Sequence, residues 1–330
     1  MAIRVLTTRK ELPGSGLSRL AEGTDVVSWP GAAKPGPDDL AALAPGSAGL
    51  LALGSDPVDA ALMAAAGPSL RVIALASMGF DNVDRAAAAE RGIVVTHTPG
   101  VLAETTADLT FALILAARRR LGAAAASLER GGWDVFRMHD YLGLDVHGAT
   151  LGLVGYGQIG RAVARRAQGF GMRVVHHDPY AAADDSLSTS VSLETLLAEA
   201  DVVSLHVPLT AETRHLISRR ELAAMKPTAT LVSTSRGGVV DEEALLGAVR
   251  AGVVHSAGLD VYEREPMGAE LSPLVDEPYV VTLPHIGSAT DSTRAAMVDL
   301  AVDNILDVLA GHPARTPLPG TAAVFHGVDA

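Results

Sequence analysis

Gly155-Tyr156-Gly157-Gln158-Ile159-Gly160 follows the strand-like run Thr150–Val154 and opens a segment with helical spacing. A GxGxxG pattern by itself is weak, but between a strand and a helix it specifies a loop that receives a pyrophosphate. Gly155 permits the tight turn, Gly157 lets the backbone approach the phosphates, and Gly160 lets the helix pack closely on the strand. The helix N-terminus then aims N–H groups and a partial positive charge at the anion, with Gln158 and Ile159 in its first turn. Ile159, Val163, Ala167 and Phe170 predict one buried face, which leaves Arg161, Arg165 and Arg166 on a solvated face rather than on phosphate. Arg173–His177 reads as the next strand. Asp178 ends it roughly 20 positions after Gly155, where an acid bridges the adenosine ribose hydroxyls. A carboxylate there accepts from a diol and repels a 2′-phosphate, so NAD rather than NADP is the expected cofactor. Without the fingerprint, Asp178 would simply start the turn Asp178-Pro179. His176 and His177 show no evident partner and read as structural or exposed.

Outward from this unit the same alternation continues. Strands are expected at Ile3–Thr7, Asp25–Trp29, Gly49–Leu53, Leu70–Leu75 and Ile93–Thr96, with helices at Asp59–Ala66 and Asp84–Arg91, each opened by a capping Asp. Gly92 stands where a helix end takes positive φ. The second half offers Thr150–Val154, Arg173–His177, Asp201–His206, Thr230–Thr234, Ser256–Asp260 and Tyr279–Leu283, six strands for a full dinucleotide-binding sheet. Ser218 and Glu221 form a capping box, and Asp241, Glu242 and Glu243 place negative charge at another helix start. Strands alternating with helices specify parallel sheets covered on both faces. Pro30–Pro37 reads as a surface loop and the tail from Gly311 as extended or frayed.

The 330 residues are more than one core usually organises, so two domains are expected. With 48% hydrophobic, 19% charged and only 4% aromatic residues, the cores must be built mainly from Ala, Leu and Val. A net charge of -12 argues against nucleic acid and anionic lipid as partners, and an anionic substrate needs a local cation. The absence of cysteine excludes disulfides, thiolate chemistry and Cys-based metal sites, and no metal is expected. Met1-Ala2-Ile3-Arg4-Val5-Leu6 reads as a strand, not the apolar core of a signal peptide, and the most apolar run, Leu109–Ala117, is too short to cross a membrane. A soluble, cytoplasmic protein is expected.

Three further segments carry chemistry-bearing residues at strand ends. They are Ser233-Thr234-Ser235-Arg236-Gly237-Gly238, Asp260-Val261-Tyr262-Glu263-Arg264-Glu265-Pro266 and Leu283-Pro284-His285-Ile286-Gly287-Ser288-Ala289-Thr290. Hydride transfer to a 2-keto acid needs a cation for the carboxylate, an acid for the forming alkoxide, and a group that keeps the acid protonated. Arg grips a carboxylate with two parallel hydrogen bonds, and His titrates near neutral pH. Taken singly, Arg236 reads equally as a surface cation, Glu265 as a loop acid and His285 as a structural histidine.

Together these segments resemble the D-isomer-specific 2-hydroxyacid dehydrogenase family, over nearly the whole chain. Ala76-Ser77-Met78-Gly79-Phe80-Asp81-Asn82-Val83-Asp84 resembles its substrate-carboxylate loop, and Thr98-Pro99-Gly100-Val101-Leu102 through Thr106-Ala107-Asp108 the helix entering the nucleotide domain. Leu142-Gly143-Leu144-Asp145-Val146-His147-Gly148 resembles the approach to the fingerprint in the glyoxylate/hydroxypyruvate reductase branch. The resemblance implies that Arg236 binds the substrate carboxylate and carbonyl, that His285 is the general acid/base, and that Glu265 bonds His285 and keeps it protonated. It implies that N–H groups near Ser77, Met78 and Gly79 complete the carboxylate cradle. Asp260 and Thr234 would hold the nicotinamide carboxamide, and His206, Pro208 and Thr213 would line the adenine side. Thr106, His285 and Ser288 are the remaining cofactor contacts it implies. The implied fold is α/β, two Rossmann-like doubly wound parallel-sheet domains. A nucleotide domain (99–286) is inserted into a substrate domain (1–98 plus 287–330), and the protein is a homodimer.

Some positions depart from the pattern. His97 stands where relatives often have Asn. Asp140, with His139 and Tyr141, lies where some hydroxypyruvate reducers send an aromatic residue across the dimer. Glu265 argues against formate dehydrogenase activity, which has Gln there, and Met78 against phosphite oxidation, which has Lys. Another 2-keto acid or an oxyanion such as phosphite stays open as the substrate. So does an NAD(H)-sensing regulatory protein of the same fold, although no basic patch or interaction tail favours it.

Overall fold

The computed structural model describes residues 2–181 and 185–321, which fall into two compact units, the first formed by the described residues up to 102 and from 288, the second by those between 103 and 287. In the first, β1 (Ile3–Thr7), α1 (Gly16–Gly23), β2 (Thr24–Ser28), α2 (Pro37–Leu43), β3 (Gly49–Ala52), α3 (Ala60–Ala66), β4 (Val72–Leu75), α4 (Arg85–Glu90) and β5 (Val94–Thr96) alternate without interruption. The strands form one parallel sheet in the order β2-β1-β3-β4-β5. Asp59 and Asp84 cap α3 and α4 as expected, accepting the N–H groups of Leu62 and Ala87 at 2.8 and 3.0 Å. Gly92 takes φ +65°.

The second unit opens with α5 (Ala103–Arg118) and α6 (Leu121–Glu129). It continues through β6 (Thr150–Val154), α7 (Gln158–Gln168), β7 (Arg173–His177), β8 (Thr189–Ser190), α8 (Leu193–Glu199) and β9 (Val202–Leu205). It ends with α9 (Arg219–Ala224), β10 (Thr230–Ser233), α10 (Glu242–Arg250), β11 (Ser256–Leu259) and β12 (Val280–Thr282). Its sheet is parallel in the order β12-β11-β10-β9-β6-β7-β8, seven strands where the sequence predicts six. The addition, β8, is two exposed edge residues, too short to carry a period-2 signal. The capping box closes, with the Ser218 N–H donating to Glu221 Oε2 at 3.2 Å, and Asp241 accepts the Ala244 N–H at 2.9 Å.

The chain returns to the first unit with α11 (Asp291–Leu309). Val298, Ala301, Val302 and Ile305 lie against Val5, Leu51, Val72 and Val94, all at most 3% exposed, and cover one face of that sheet. Leu6, Leu50, Ile73 and Leu75 face the opposite core. Burying each such side chain contributes about 1.5–3 kcal/mol before conformational entropy is set against it. Of the two forms expected for the tail from Gly311, extended or frayed, it takes the extended one at Pro317–Leu318. Leu318, 1% exposed, donates its N–H to Val95 O at 2.7 Å, and Pro317 bridges to Thr96. Residues 322–330 of that tail lie outside the described residues. No described helix is long and apolar enough to cross a membrane.

Candidate active site

In the second unit β10, β11 and β12 are adjacent and parallel, so the loops beyond them emerge from one edge of the sheet. Arg236, Asp260 and His285 stand on these three loops. Gly237 joins the first two, because a Cβ there would fall 1.8 Å from the carbonyl carbon of Tyr262. Only glycine lets the Arg236 loop meet the Tyr262–Glu265 backbone. Arg236 itself is half-buried on extended backbone, and its Nη1 donates to Ser235 O at 2.9 Å.

The Tyr262 N–H donates to Glu265 Oε1 at 2.6 Å, which aims Oε2 at His285 Nδ1, 2.5 Å away. A carboxylate only accepts, so Nδ1 carries a proton and Nε2 is left for chemistry. His285 sits at φ +53°, a left-handed conformation that costs a non-glycine residue about 1 kcal/mol or more. Asp260 holds it there. Its Oδ1 and Oδ2 accept the N–H groups of Ile286 and Gly287, each at 2.7 Å. Asp260 is 1% exposed, and burial pushes its carboxyl above the ordinary value against the pull of the Ile286 N–H and the His285 ring. Thr106 Oγ1 donates to Gly287 O at 3.2 Å, and Thr110 Oγ1 links Thr106 O (2.9 Å) to Thr234 Oγ1 (3.1 Å). Thr106, Thr234, Asp260 and His285 are thus one connected network. The grip of Asp260 on the following loop has no sequence signal, since its donors lie on the next strand end. Ser288 belongs to the other unit, where its carbonyl accepts the Thr290 N–H at 2.8 Å.

The glycine loop fits a pyrophosphate. Gly155 takes φ +94° against the His206 carbonyl, and a Cβ on Gly160 would lie 2.4 Å from Gly155 O. A Cβ on Gly157 would meet nothing within 4 Å. That open side adjoins the start of α7, whose first N–H groups have no intrahelical acceptor. Asp178 lies beside the loop with Oδ2 accepting the Tyr156 N–H and Oδ1 the Tyr180 N–H, both at 2.8 Å. It therefore starts a turn and presents its charge at the loop at once. His206 Nε2 lies 2.9 Å from Ser204 Oγ, and its buried Nδ1 has no hydrogen-bond partner among the described residues. Burial pushes this imidazole down to about 3, so it is neutral at pH 7. Thr213 Oγ1 donates to Pro208 O at 2.6 Å and closes a separate exposed turn.

One reading of this region is extended and one is corrected. Arg165 and Arg166 lie off the buried face of α7, as expected, and pair there with acids. Arg166 pairs with Glu104 at 2.8 Å and Asp108 at 2.7 Å, Arg165 also pairs with Glu104, and Glu104 is held below its ordinary value first by Arg166. His176 does have partners. It is fully buried, its Nδ1 lies 2.9 Å from Ser188 Oγ, and its ring stacks 4.0 Å from that of Tyr156. His177 Nδ1 lies 3.1 Å from Val191 O. Tyr156 donates its hydroxyl to Asp185 at 3.0 Å, and burial followed by that carboxylate pushes the phenol up to about 12. Arg161 pairs with Asp185 at 2.6 Å and lies 4.4 Å above the Tyr156 ring.

In the first unit, the loop after β4 is held by Asn82, whose Nδ2 donates to Leu53 O at 3.1 Å and Asp56 O at 2.7 Å. Within it Ser77 Oγ donates to Gly79 O at 2.7 Å. Among the described residues no cluster of His, Asp and Glu could hold a metal ion.

Residues 111–287 match the model of the D-isomer specific 2-hydroxyacid dehydrogenase, NAD binding domain. The chain belongs to this family. Its second unit is the nicotinamide-dinucleotide domain, and the chain is a dehydrogenase by descent. A glyoxylate reductase of Korarchaeum cryptofilum is 45% identical over 310 residues, 93% of this chain and 92% of that protein. A Thermus thermophilus protein of known structure is 49% identical with a TM-score of 0.90, covering 96% of this chain and all of that one. The structure of an NADPH-dependent glyoxylate/hydroxypyruvate reductase from Sinorhizobium meliloti, in complex with NADP and malonate, is 34% identical with a TM-score of 0.87, over 99% and 100% of the two chains.

Proposed function

We propose that this protein reduces glyoxylate and hydroxypyruvate to their D-2-hydroxy acids with NADH. The observation that carries the proposal is the His285–Glu265 pair beside Arg236 on adjacent loops of a dinucleotide-binding sheet. A nicotinamide dinucleotide held by the Gly155–Gly160 loop and Asp178 would supply a hydride to C2 of the keto acid. Arg236 grips the carboxylate and polarises the carbonyl. Ser77, Met78 and Gly79 offer the carboxylate further N–H donors. His285 delivers the proton from Nε2 to the carbonyl oxygen, while Nδ1–H stays on Glu265. In the reverse direction the same Nε2, deprotonated, accepts the hydroxyl proton. Glu265 accepts the Nδ1–H and fixes the ring.

Asp178 is our ground for NADH over NADPH, although the Sinorhizobium meliloti relative is NADPH-dependent. We assign a homodimer from a stretch of the second unit that leaves Leu128, Trp133, Phe136, Met138 and Leu142 more than half exposed, an apolar surface a monomer rarely keeps. The test is a panel of 2-keto acids with NADH and NADPH. Turnover of glyoxylate and hydroxypyruvate, with higher kcat/KM for NADH, is expected, and Asp178→Ala should narrow that preference. Binding of NADH without turnover of any keto acid would contradict the function. Equal kcat/KM for the two cofactors would contradict the role of Asp178.

A further inference from the structure

Three consecutive carbonyls of the Ser77–Gly79 loop are held by donors. The Thr98 N–H donates to Ser77 O at 2.9 Å, His97 Nδ1 lies 2.8 Å from Met78 O, and Ser77 Oγ donates to Gly79 O at 2.7 Å. A carbonyl only accepts, so His97 Nδ1 carries the hydrogen. In a trans peptide the C=O and N–H point to opposite sides of the chain. Holding Ser77 O and Met78 O therefore sets the direction of the Met78 and Gly79 N–H groups. These two N–H groups, and that of Ser77, donate to no group among the described residues. Backbone donors left in this way form a concavity suited to an anion.

We propose that His97 is a positioning residue for substrate binding: by donating from Nδ1 to Met78 O, it turns the Met78–Gly79 peptide so that the Gly79 N–H meets the substrate carboxylate. This rests on the reading that the Ser77–Gly79 loop takes that carboxylate. His97 is itself fixed within the first unit. Thr316 Oγ1 donates to His97 O at 2.6 Å, and Thr316 is held by Asn304 on α11 through contacts of 2.9 and 3.0 Å. Asn304 is fully buried. The His97 ring meets Phe80 edge-on, 5.7 Å between centroids and 80° between planes. The backbone of His97, its ring packing and its donor are thus set separately, and only the donor meets the Met78 carbonyl.

The donor can be removed without the ring, and the ring without the donor. His97→Phe keeps an aromatic edge against Phe80 and loses the N–H. His97→Asn loses the ring, but its amide nitrogen is bonded to Cγ just as Nδ1 is, so it can reach the same carbonyl. The experiment measures steady-state glyoxylate reduction by the parent and both variants. Alongside it, oxalate binding to each NADH-loaded protein and NADH affinity are measured. His97→Phe should raise KM for glyoxylate and the oxalate Kd by about 5- to 30-fold, the scale of one lost hydrogen bond. Its kcat should stay within about threefold and its NADH affinity unchanged. His97→Asn should bring both constants back to within about threefold of the parent.

A His97→Phe protein with parental KM and oxalate Kd would overturn the proposal. So would a His97→Asn protein as impaired as His97→Phe, or a parent that does not bind oxalate. A parent that binds oxalate with this pattern across the variants, yet reduces no keto acid, would leave the positioning role standing and overturn the proposed reaction instead.

Discussion

Two parallel sheets of one plan end differently where their strand order reverses. In the second unit the reversal falls at β6, flanked by β7 and β9, and the turn beyond it is Gly155–Gly160 with open space over Gly157. In the first it falls at β1, flanked by β2 and β3, and the turn beyond is Thr8-Arg9. There Asp56, fully buried, bridges the residues that follow β1 and β3. Its Oδ2 accepts Thr8 Oγ1 at 2.5 Å and the Leu53 N–H at 2.9 Å, and its Oδ1 pairs with Arg9 at 3.1 Å. One crevice is kept open by missing side chains and the other closed by present ones. The fold offers both sheets a binding crevice, and the residues at the strand ends decide which is used.

If that contrast is sound, a lesion at the open crevice should cost ligand binding and one at the closed crevice should cost stability. The largest effect is expected from Gly160→Ala, whose Cβ would stand 2.4 Å from Gly155 O. NADH binding, followed by fluorescence, should be lost. Gly157→Ala has open space around its Cβ and should melt like the parent while binding NADH at least tenfold more weakly, a loss of about 1.4 kcal/mol or more. Asp56→Ala should do the reverse. It strands buried donors and should destabilise the protein by roughly 2–4 kcal/mol in urea unfolding, with NADH affinity unchanged. Equal effects of Asp56→Ala on stability and NADH affinity would break the comparison.

Arg236→Lys keeps the charge and loses the planar fork, so kcat/KM for glyoxylate should fall by roughly 2–3 kcal/mol of transition-state binding with little change in thermal midpoint. The smallest effect concerns acid. The folded His206 imidazole protonates only near 3, whereas an unfolded one does so near 6.5. Its neutral form is favoured by folding above pH 6.5, and that stability is lost as pH falls from 6.5 towards 3. At pH 5 the loss from this one group is at most about 2 kcal/mol. His206→Asn should therefore lose less stability than the parent between pH 7 and pH 5, measured by urea unfolding at both.

Periodicity and glycine spacing made the sheet of each unit legible. Ile3–Thr7, Thr150–Val154 and Arg173–His177 fall on the residues expected. Elements that bury little were not. Leu121–Glu129 is an alanine run with no buried residue, so it has no apolar stripe to read, and Gly16–Gly23 begins and ends on glycine. At the candidate site, residue types at strand ends could be read locally, and Arg236, Glu265 and His285 needed the family resemblance to be singled out. What holds them could not be read, because it depends on pairs distant in the chain. Asp260 grips Ile286 and Gly287, Tyr156 reaches Asp185, and His97 reaches Met78. A hydrogen bond between such residues leaves no spacing in the sequence to find.

The central claim is that His285, held by Glu265, delivers the proton in keto-acid reduction. It is tested most directly by kcat for glyoxylate reduction by the parent, Glu265→Gln and His285→Ala at saturating NADH. Glu265→Gln keeps the shape but loses the charged acceptor of the His285 Nδ1–H, so kcat should fall by about tenfold or more, the scale of a lost charge-assisted hydrogen bond. His285→Ala should lose roughly 10²- to 10⁴-fold, the usual worth of a positioned general acid. A parental kcat in Glu265→Gln, or near-parental rates from His285→Ala, would contradict it.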